Sequence, residues 1–304
     1  MLRRLAILAL LCLAAPAAAD TLIHDGIERS YDLVVPDGLA LPAPAVFMLH
    51  GGGGSKERVR RSSRFHHQGE ASGFVTVYPQ GVEGHWNDAR TAPALLEKQG
   101  GEIDDVGFLT ALAARLTADG IADRRRTYAT GASNGGMMSF RLACEAADTF
   151  AAIAPAIASL PVEAEETCRP SRPVPVLLMN GTEDLLIPWE GGPVAAMVPG
   201  NRGHVLPTER TVEIFRQLSG CGSATVEPAM PLDDGMRLLA TRYTGCRGDA
   251  SVVLYRFEGM GHRWPDALMP NLPGRLGEIL GPAPRDFPAA LHVWQFLKDH
   301  RLPE

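Results

Sequence analysis

Thr127-Tyr128-Ala129-Thr130-Gly131-Ala132-Ser133-Asn134-Gly135-Gly136-Met137 decides the reading of this chain. Residues 127–130 are mostly β-branched or aromatic, the composition of a short strand. Gly131 and Gly135 bracket Ser133 in a Gly-x-Ser-x-Gly pattern, and helical spacing follows over 135–147. A strand that turns sharply into a helix lifts the central side chain above the sheet edge, and the glycines permit that turn. Ser133 is therefore the candidate nucleophile. In a chain with 32 glycines the pattern alone carries little weight, but it occurs once and its flanks fit.

A serine hydroxyl needs a base to take its proton, and the base needs an acid to orient it. With this type of turn the chain order is Ser, then Asp or Glu, then His. The downstream histidines are His204, His262, His292 and His300. His262 follows the apolar run 252–257 and falls on a loop at the carboxyl edge of the sheet, where Ser133 also emerges. His292 and His300 lie in the last expected helix, as surface groups, and His204 sits in a Gly-rich loop with no strand before it. The acid is expected in Asn180-Gly181-Thr182-Glu183-Asp184, after the run 174–179, with Asp184 first and Glu183 as the alternative.

His50-Gly51-Gly52-Gly53-Gly54 follows the run 45–49 and has the form of a loop whose backbone N–H groups stabilise an oxyanion. Gly52 is the expected donor, with Gly51 or Gly53 as alternatives, and the N–H of Asn134 is the second donor. His50 is expected to hold the loop by hydrogen bonds. A phosphate cradle would need Gly-Lys-Ser/Thr, and Gly54-Ser55-Lys56 has the order reversed. His66 and His67 are adjacent, so their side chains diverge onto solvated surface. The expected chemistry uses no metal and no cofactor.

Apolar runs at 31–35, 45–49, 74–78, 127–130, 151–154, 174–179 and 252–257 read as strands. Helices are expected between them: one capped by Asp104 or Asp105 and carrying Leu109, Leu112 and Leu116, then 135–147, 208–218 and 291–300. Alternating strands and helices predict an α/β fold with a mostly parallel sheet and helices on both faces. The Pro-rich stretch 265–288 reads as a long loop. A chain of 304 residues is a routine size for one such domain. A net charge of −6 argues against nucleic acid or an anionic membrane as main partner.

Residues 1–19 carry Arg3-Arg4, an apolar stretch from Leu5 to Leu13 and Ala17-Ala18-Ala19, the pattern of a cleaved signal peptide. The apolar stretch is too short to span a bilayer. Residues 20–304 are then the catalytic domain, exported to the periplasm or beyond. Cys144, Cys168, Cys221 and Cys246 remain after cleavage, and an even count in an exported chain points to two disulfides. Three pairings are open. The local one, Cys144 with Cys168 and Cys221 with Cys246, is expected.

Six motifs occur in order: Leu49-His50-Gly51-Gly52-Gly53; Tyr78-Pro79-Gln80-Gly81 with Trp86-Asn87; Asp104-Asp105-Val106-Gly107-Phe108-Leu109; Gly131 to Met137; Gly181-Thr182-Glu183-Asp184 with Ile187-Pro188; and Gly261-His262-Arg263-Trp264-Pro265. Over nearly the whole of 24–302 the chain resembles the polyhydroxybutyrate depolymerase-type esterases. These overlap with the feruloyl and acetylxylan esterases of carbohydrate esterase family 1. The resemblance implies an exported α/β-hydrolase with Ser133 as nucleophile, Asp184 as acid and His262 as base. It also supports the local disulfide pairing. Depolymerases that attack solid polyester usually carry a polymer-binding domain after the catalytic one, whereas this sequence stops at Glu304. Soluble esters or oligomers are therefore the expected substrates.

About 19 residues separate the runs 151–154 and 174–179, where hydrolases of this type commonly insert a cap. That leaves no room for a sizeable cap domain, so an open cleft is expected. Trp86, Trp189 and Trp264 fall on loops after strands and are candidates for an aromatic substrate wall, while Trp294 is expected in the core. A peptidase or acyltransferase would use the same triad. A non-catalytic binding protein on the same fold would usually lack a triad member, and none is missing here.

Overall fold

The computed structural model describes residues 20–99, 101–265 and 274–304. The expected signal peptide, 1–19, and part of the expected loop at 265–288 lie outside the described residues. Asp25-Gly26, both at positive φ, turn β1 (Asp20–His24) into β2 (Ile27–Val34), the turn chemistry of a tight hairpin. Next come β3 (Ala43–Leu49), α1 (Lys56–Ser63), α2 (Phe65–Ser72), β4 (Val75–Pro79), α3 (Pro93–Gln99) and α4 (Asp105–Ala118). The central elements are β5 (Ala122–Ala132), α5 (Asn134–Glu145), β6 (Ala152–Ala156), α6 (Ala164–Thr167) and β7 (Val176–Gly181). After them run β8 (Gly192–Pro193), β9 (His204–Val205), α7 (Thr208–Ser219), β10 (Ser223–Val226), β11 (Met230–Pro231) and β12 (Arg237–Thr244). Then come β13 (Val252–Glu258), α8 (Gly274–Leu280) and α9 (Ala289–Leu297).

The main sheet has the order β1-β2-β4-β3-β5-β6-β7-β13-β12-β10, with β11 on β12. Its six central strands, from β4 to β13, pair in parallel, and antiparallel strands flank them on both sides. β3, β4, β6 and β7 are buried along their whole length, which is why they read as unbroken apolar runs. Within β3 the side chains still alternate. Phe47 and Leu49 join Leu112, Phe140 and Phe215 from α4, α5 and α7 on one face. Val46 and Met48 join Phe65, Val293 and Leu297 from α2 and α9 on the other. This is the α/β-hydrolase fold with helices on both faces of the sheet. Residues 157–175, between β6 and β7, hold only the four-residue α6, so no cap domain stands there.

Each expected strand is present with its ends moved by a few residues. Those missed were the hairpin partner β1, the short pair β8 and β9, and the outer strands β10 to β12. β10 is exposed along its length, so it carries no alternation to detect. Asp104, not Asp105, caps α4: its carboxylate accepts from Gly107 N–H at 2.8 Å. Asp105 is buried and pairs with Arg29 at 2.6 Å. The long loop expected at 265–288 is corrected in part, because α8 forms within it. His300 is also corrected: it is 8% exposed, with its ring near Phe296, and lies just beyond α9. His292 is partly buried and stacks on Phe287 at 4.3 Å. Trp294 stacks on Phe74 at 4.3 Å in the core. Among the described residues no helix is long and apolar enough to cross a membrane.

Disulfides join Cys144 to Cys168 and Cys221 to Cys246, closing loops of 24 and 25 residues. The first ties the end of α5, the helix behind Ser133, to α6. The second ties the end of α7 to the outer hairpin. Replacing Cys144 and Cys168 together by Ser is expected to lower the unfolding free energy by about 3 kcal/mol in urea titrations. An unchanged unfolding midpoint would show that the link adds nothing.

Candidate active site

The turn from β5 into α5 is built by close backbone contact. A Cβ on Gly135 would lie 2.5 Å from the Leu49 carbonyl oxygen, and one on Gly131 would lie 2.7 Å from the Gly135 carbonyl. Only glycine lets α5 start directly against the end of β3. Between them Ser133 is held at φ 57°, ψ −122°, a backbone state that non-glycine residues rarely adopt. Its N–H donates to Ala156 O at 3.0 Å, tying the turn to β6 as well.

Asp184 and His262 come from the loops after β7 and β13, adjacent parallel strands that end at the same edge. Thr182 N–H donates to Phe257 O at 3.0 Å and Glu183 N–H to Met260 O at 2.9 Å, so the two loops are laced together. Asp184 Oδ1 accepts from the N–H groups of Leu186 and Ile187, both at 2.8 Å. Its Oδ2 accepts from His262 Nδ1 at 2.7 Å. That bond assigns the proton to Nδ1 and leaves Nε2 as the proton acceptor of the ring. Gly261 N–H donates to Pro282 O at 2.8 Å, so the segment after α8 supports the histidine turn. Glu183, the alternative acid, is exposed. His204 is exposed on β9.

Ser133 and His262 line one cavity of about 450 Å³ together with Gly51, Gly52 and Asn134. Of the glycine loop, Gly53 N–H is already committed to Gly84 O at 2.8 Å, and Gly54 N–H to Gly51 O at 3.0 Å. The alternative donor Gly53 is thereby ruled out, and Gly52 sits nearest Asn134: a Cβ on it would lie 3.6 Å from Asn134 Cβ. His50 Nε2 accepts from Gly81 N–H at 3.0 Å, so Nδ1 carries the proton and donates to Gly51 O at 2.9 Å. The imidazole thus bridges the glycine loop and the segment after β4.

Trp86 corrects the expectation of an aromatic wall. It is 1% exposed, its Nε1–H donates to His50 O at 2.9 Å, and its N–H donates to Asn134 Oδ1 at 2.8 Å. Its indole braces the glycine loop through His50. Trp189 is also buried, and the Arg256 guanidinium lies 5.2 Å from its ring centre. Trp264 is half-buried and lines a second hollow, of about 200 Å³, that shares Gly51 and Gly52 with the main cavity.

The sequence reading missed the residues that make the rest of the main cavity. Leu186, Ile187, Val194, Ala195, Val198 and Arg202 come from the segment between β7 and α7, and His85 and Arg90 from the segment after β4. Apart from Ile187, which stands in the Ile187-Pro188 motif, none shows periodicity or a motif. Asp88 beside Arg90 accepts from Arg90 Nη2 at 2.8 Å and from Asn134 Nδ2 at 2.6 Å. His85 Nδ1 lies 2.9 Å from Glu83 O, and burial holds its pKa below the ordinary histidine value.

Scanned against protein-family models, the chain matches none. It is 33% identical over 273 residues to the protein named "Putative esterase NocK" of Nocardia uniformis subsp. tsuyamanensis, covering 86% of this chain and 78% of that one. It is 27% identical over 264 residues to feruloyl esterase B of Piromyces equi, covering 86% of this chain and 43% of the relative, less than half its length. Among solved structures, acetyl xylan esterase from Aspergillus awamori superposes with a TM-score of 0.54 at 17% identity, over 77% of this chain and 89% of that one. That last likeness is one of fold.

His50 gives the site a pH dependence. Burial pushes its pKa down from 6.5 to about 4. Above pH 6.5 the ring is neutral in both folded and unfolded chains, and stability is full. As pH falls the unfolded chain protonates first, so stability is lost down to about pH 4. The shift corresponds to about 3 kcal/mol. His66, His85, His292 and His300 are shifted the same way, with burial the largest cause. Urea unfolding at stepped pH is expected to show the decline starting near 6.5, and NMR is expected to find His50 titrating near pH 4. Stability flat from pH 7 to 5, or a His50 midpoint near 6.5, would contradict this.

Proposed function

The chain belongs to the feruloyl and acetylxylan esterase-like family and is a carboxylic ester hydrolase, and from that premise we propose that it works through Ser133, His262 and Asp184 by an acyl-enzyme mechanism. The single observation that carries the mechanism is the 2.7 Å bond from His262 Nδ1 to Asp184 Oδ2, with His262 lining the same cavity as Ser133. Ser133 Oγ attacks the ester carbonyl while His262 Nε2 takes its proton. The carbonyl oxygen becomes an oxyanion, which accepts hydrogen bonds from the N–H groups of Gly52 and Asn134. His262 gives the proton to the leaving alcohol as the C–O bond breaks. Water, deprotonated by the same nitrogen, then cleaves the acyl-Ser133 ester. Asp184, held by two backbone amides and buried, keeps the imidazole oriented and stabilises its charged form.

The substrates we propose are soluble feruloyl or acetyl esters, or hydroxybutyrate oligomers. The aliphatic wall of Leu186, Ile187, Val194 and Val198 supports an acyl group or ring of modest size. The absence of a cap between β6 and β7 supports access by a chain end or side-chain ester. Trp264, beside the glycine loop, is the proposed aromatic contact. Two disulfides support folding in an oxidising compartment, and the proposed organisation is a signal peptide over 1–19 followed by one catalytic domain.

A panel of p-nitrophenyl esters, methyl ferulate, acetylated xylan and hydroxybutyrate oligomers tests the proposal. Ser133→Ala is expected to lose nearly all turnover with its circular dichroism unchanged. Asp184→Asn is expected to lose roughly 10⁴-fold in kcat, and Glu183→Gln to change little. A dead Glu183 variant beside an active Asp184 variant would reassign the acid.

A further inference from the structure

The main cavity contains one cation that nothing in the described chain neutralises. Asp184 accounts for His262, and Asp88 takes Arg90 in a two-pronged ion pair. Arg202 lines the same cavity, yet among the described residues it joins no ion pair. Its Nε is buried with no acceptor, a state that folded proteins seldom leave uncompensated.

Arg202 is also held in place. Its carbonyl oxygen accepts from Arg90 Nη1 at 2.7 Å, while Val194 N–H donates to Gly203 O at 3.0 Å. The β8–β9 pairing, Gly192 with Val205 and Pro193 with His204, closes the same segment. One chain of contacts therefore runs from Arg202 through Arg90 and Asp88 to Asn134, the proposed oxyanion donor. These contacts fix the backbone from which the Arg202 side chain enters the cavity wall among Leu186, Ile187 and Val194, where its partly buried guanidinium offers two parallel N–H donors. Its complement is a planar, singly charged oxygen pair. In a chain of net charge −6, a local unpaired cation also marks where an anion is drawn in.

We propose that Arg202 is a specificity-determining residue that selects esters bearing a free carboxylate away from the scissile bond. This rests on the reading of Ser133 and His262 as the reacting groups. The substrate class would be the half-ester of a dicarboxylic acid or the acylated end of a hydroxy acid.

Two isosteric probe pairs test it, one with the charge on the acyl side and one on the alcohol side. The first is 4-nitrophenyl hydrogen glutarate against 4-nitrophenyl glutaramate. The second is 3-acetoxybutyrate against 3-acetoxybutyramide. The readout is the ratio of kcat/KM for the anionic member over the neutral one, which does not depend on the fraction of folded enzyme. In at least one pair the native ratio is expected to be roughly tenfold or more and to fall as salt is added. Arg202→Gln should bring it close to one, and Arg202→Lys should retain part of it. A native ratio near one in both pairs, or a ratio that Arg202→Gln does not move, overturns the proposal. Hydrolysis of the neutral probes that survives Ser133→Ala would overturn the underlying mechanism, and with it this assignment, by a different reading.

Discussion

Backbone rests on backbone where α5 meets the end of β3, and the rest of the site depends on that contact. With a Cβ on Gly135 only 2.5 Å from the Leu49 carbonyl oxygen, nothing larger than hydrogen fits there. The contact fixes three things together. It leaves Ser133 in a backbone state that a free chain would avoid. It brings the start of α5 beside Gly51 and Gly52, which follow β3 after His50. It also buries Asn134 at 3% exposure, where its side chain must find partners.

The partners Asn134 finds organise the glycine loop after β3. Its amide group bonds the Trp86 backbone in both directions and donates to Asp88. Trp86 in turn bonds His50 O, and His50 bonds Gly81 N–H and Gly51 O. Each member is satisfied by the next, so the network is rigid at little desolvation penalty. It supports two loops, of which the one after β4 carries no more regular structure than a single 3-10 turn at Val82–Gly84. Under the proposed mechanism this rigidity matters, since donors aimed in advance at an oxyanion need no reorganisation during reaction. On the other side of the cavity the loops after β7 and β13 lace together in the same manner around Asp184.

Much of this was legible in the residues because parallel sheets place functional groups at the carboxyl ends of strands. The strand ends carrying Ser133, Asp184 and His262 could be found from apolar runs bounded by glycine. Trp86 could not be placed, because a position on a loop after a strand does not say which way the indole turns. The polar tip of Trp86 found a buried carbonyl, and the ring went under the loop instead of into the cleft. Arg90 and Arg202 were silent for another reason. Their place in the cavity depends on contacts 112 residues apart in the chain, such as Arg90 Nη1 to Arg202 O. No local pattern encodes such a contact. α8 was hidden within a Pro-rich stretch, where prolines flanking a short helix read as loop.

The central claim is that the strained turn delivers Ser133 as the one activated hydroxyl of an ester hydrolase. Covalent labelling tests it most directly. The enzyme is treated with a fluorophosphonate, and peptide mass spectrometry locates the adduct while residual esterase activity is followed. The account requires a single adduct on Ser133, with activity falling in proportion to labelling and no adduct on denatured enzyme. Stoichiometric labelling at another residue, or full activity retained by enzyme labelled at Ser133, would contradict it.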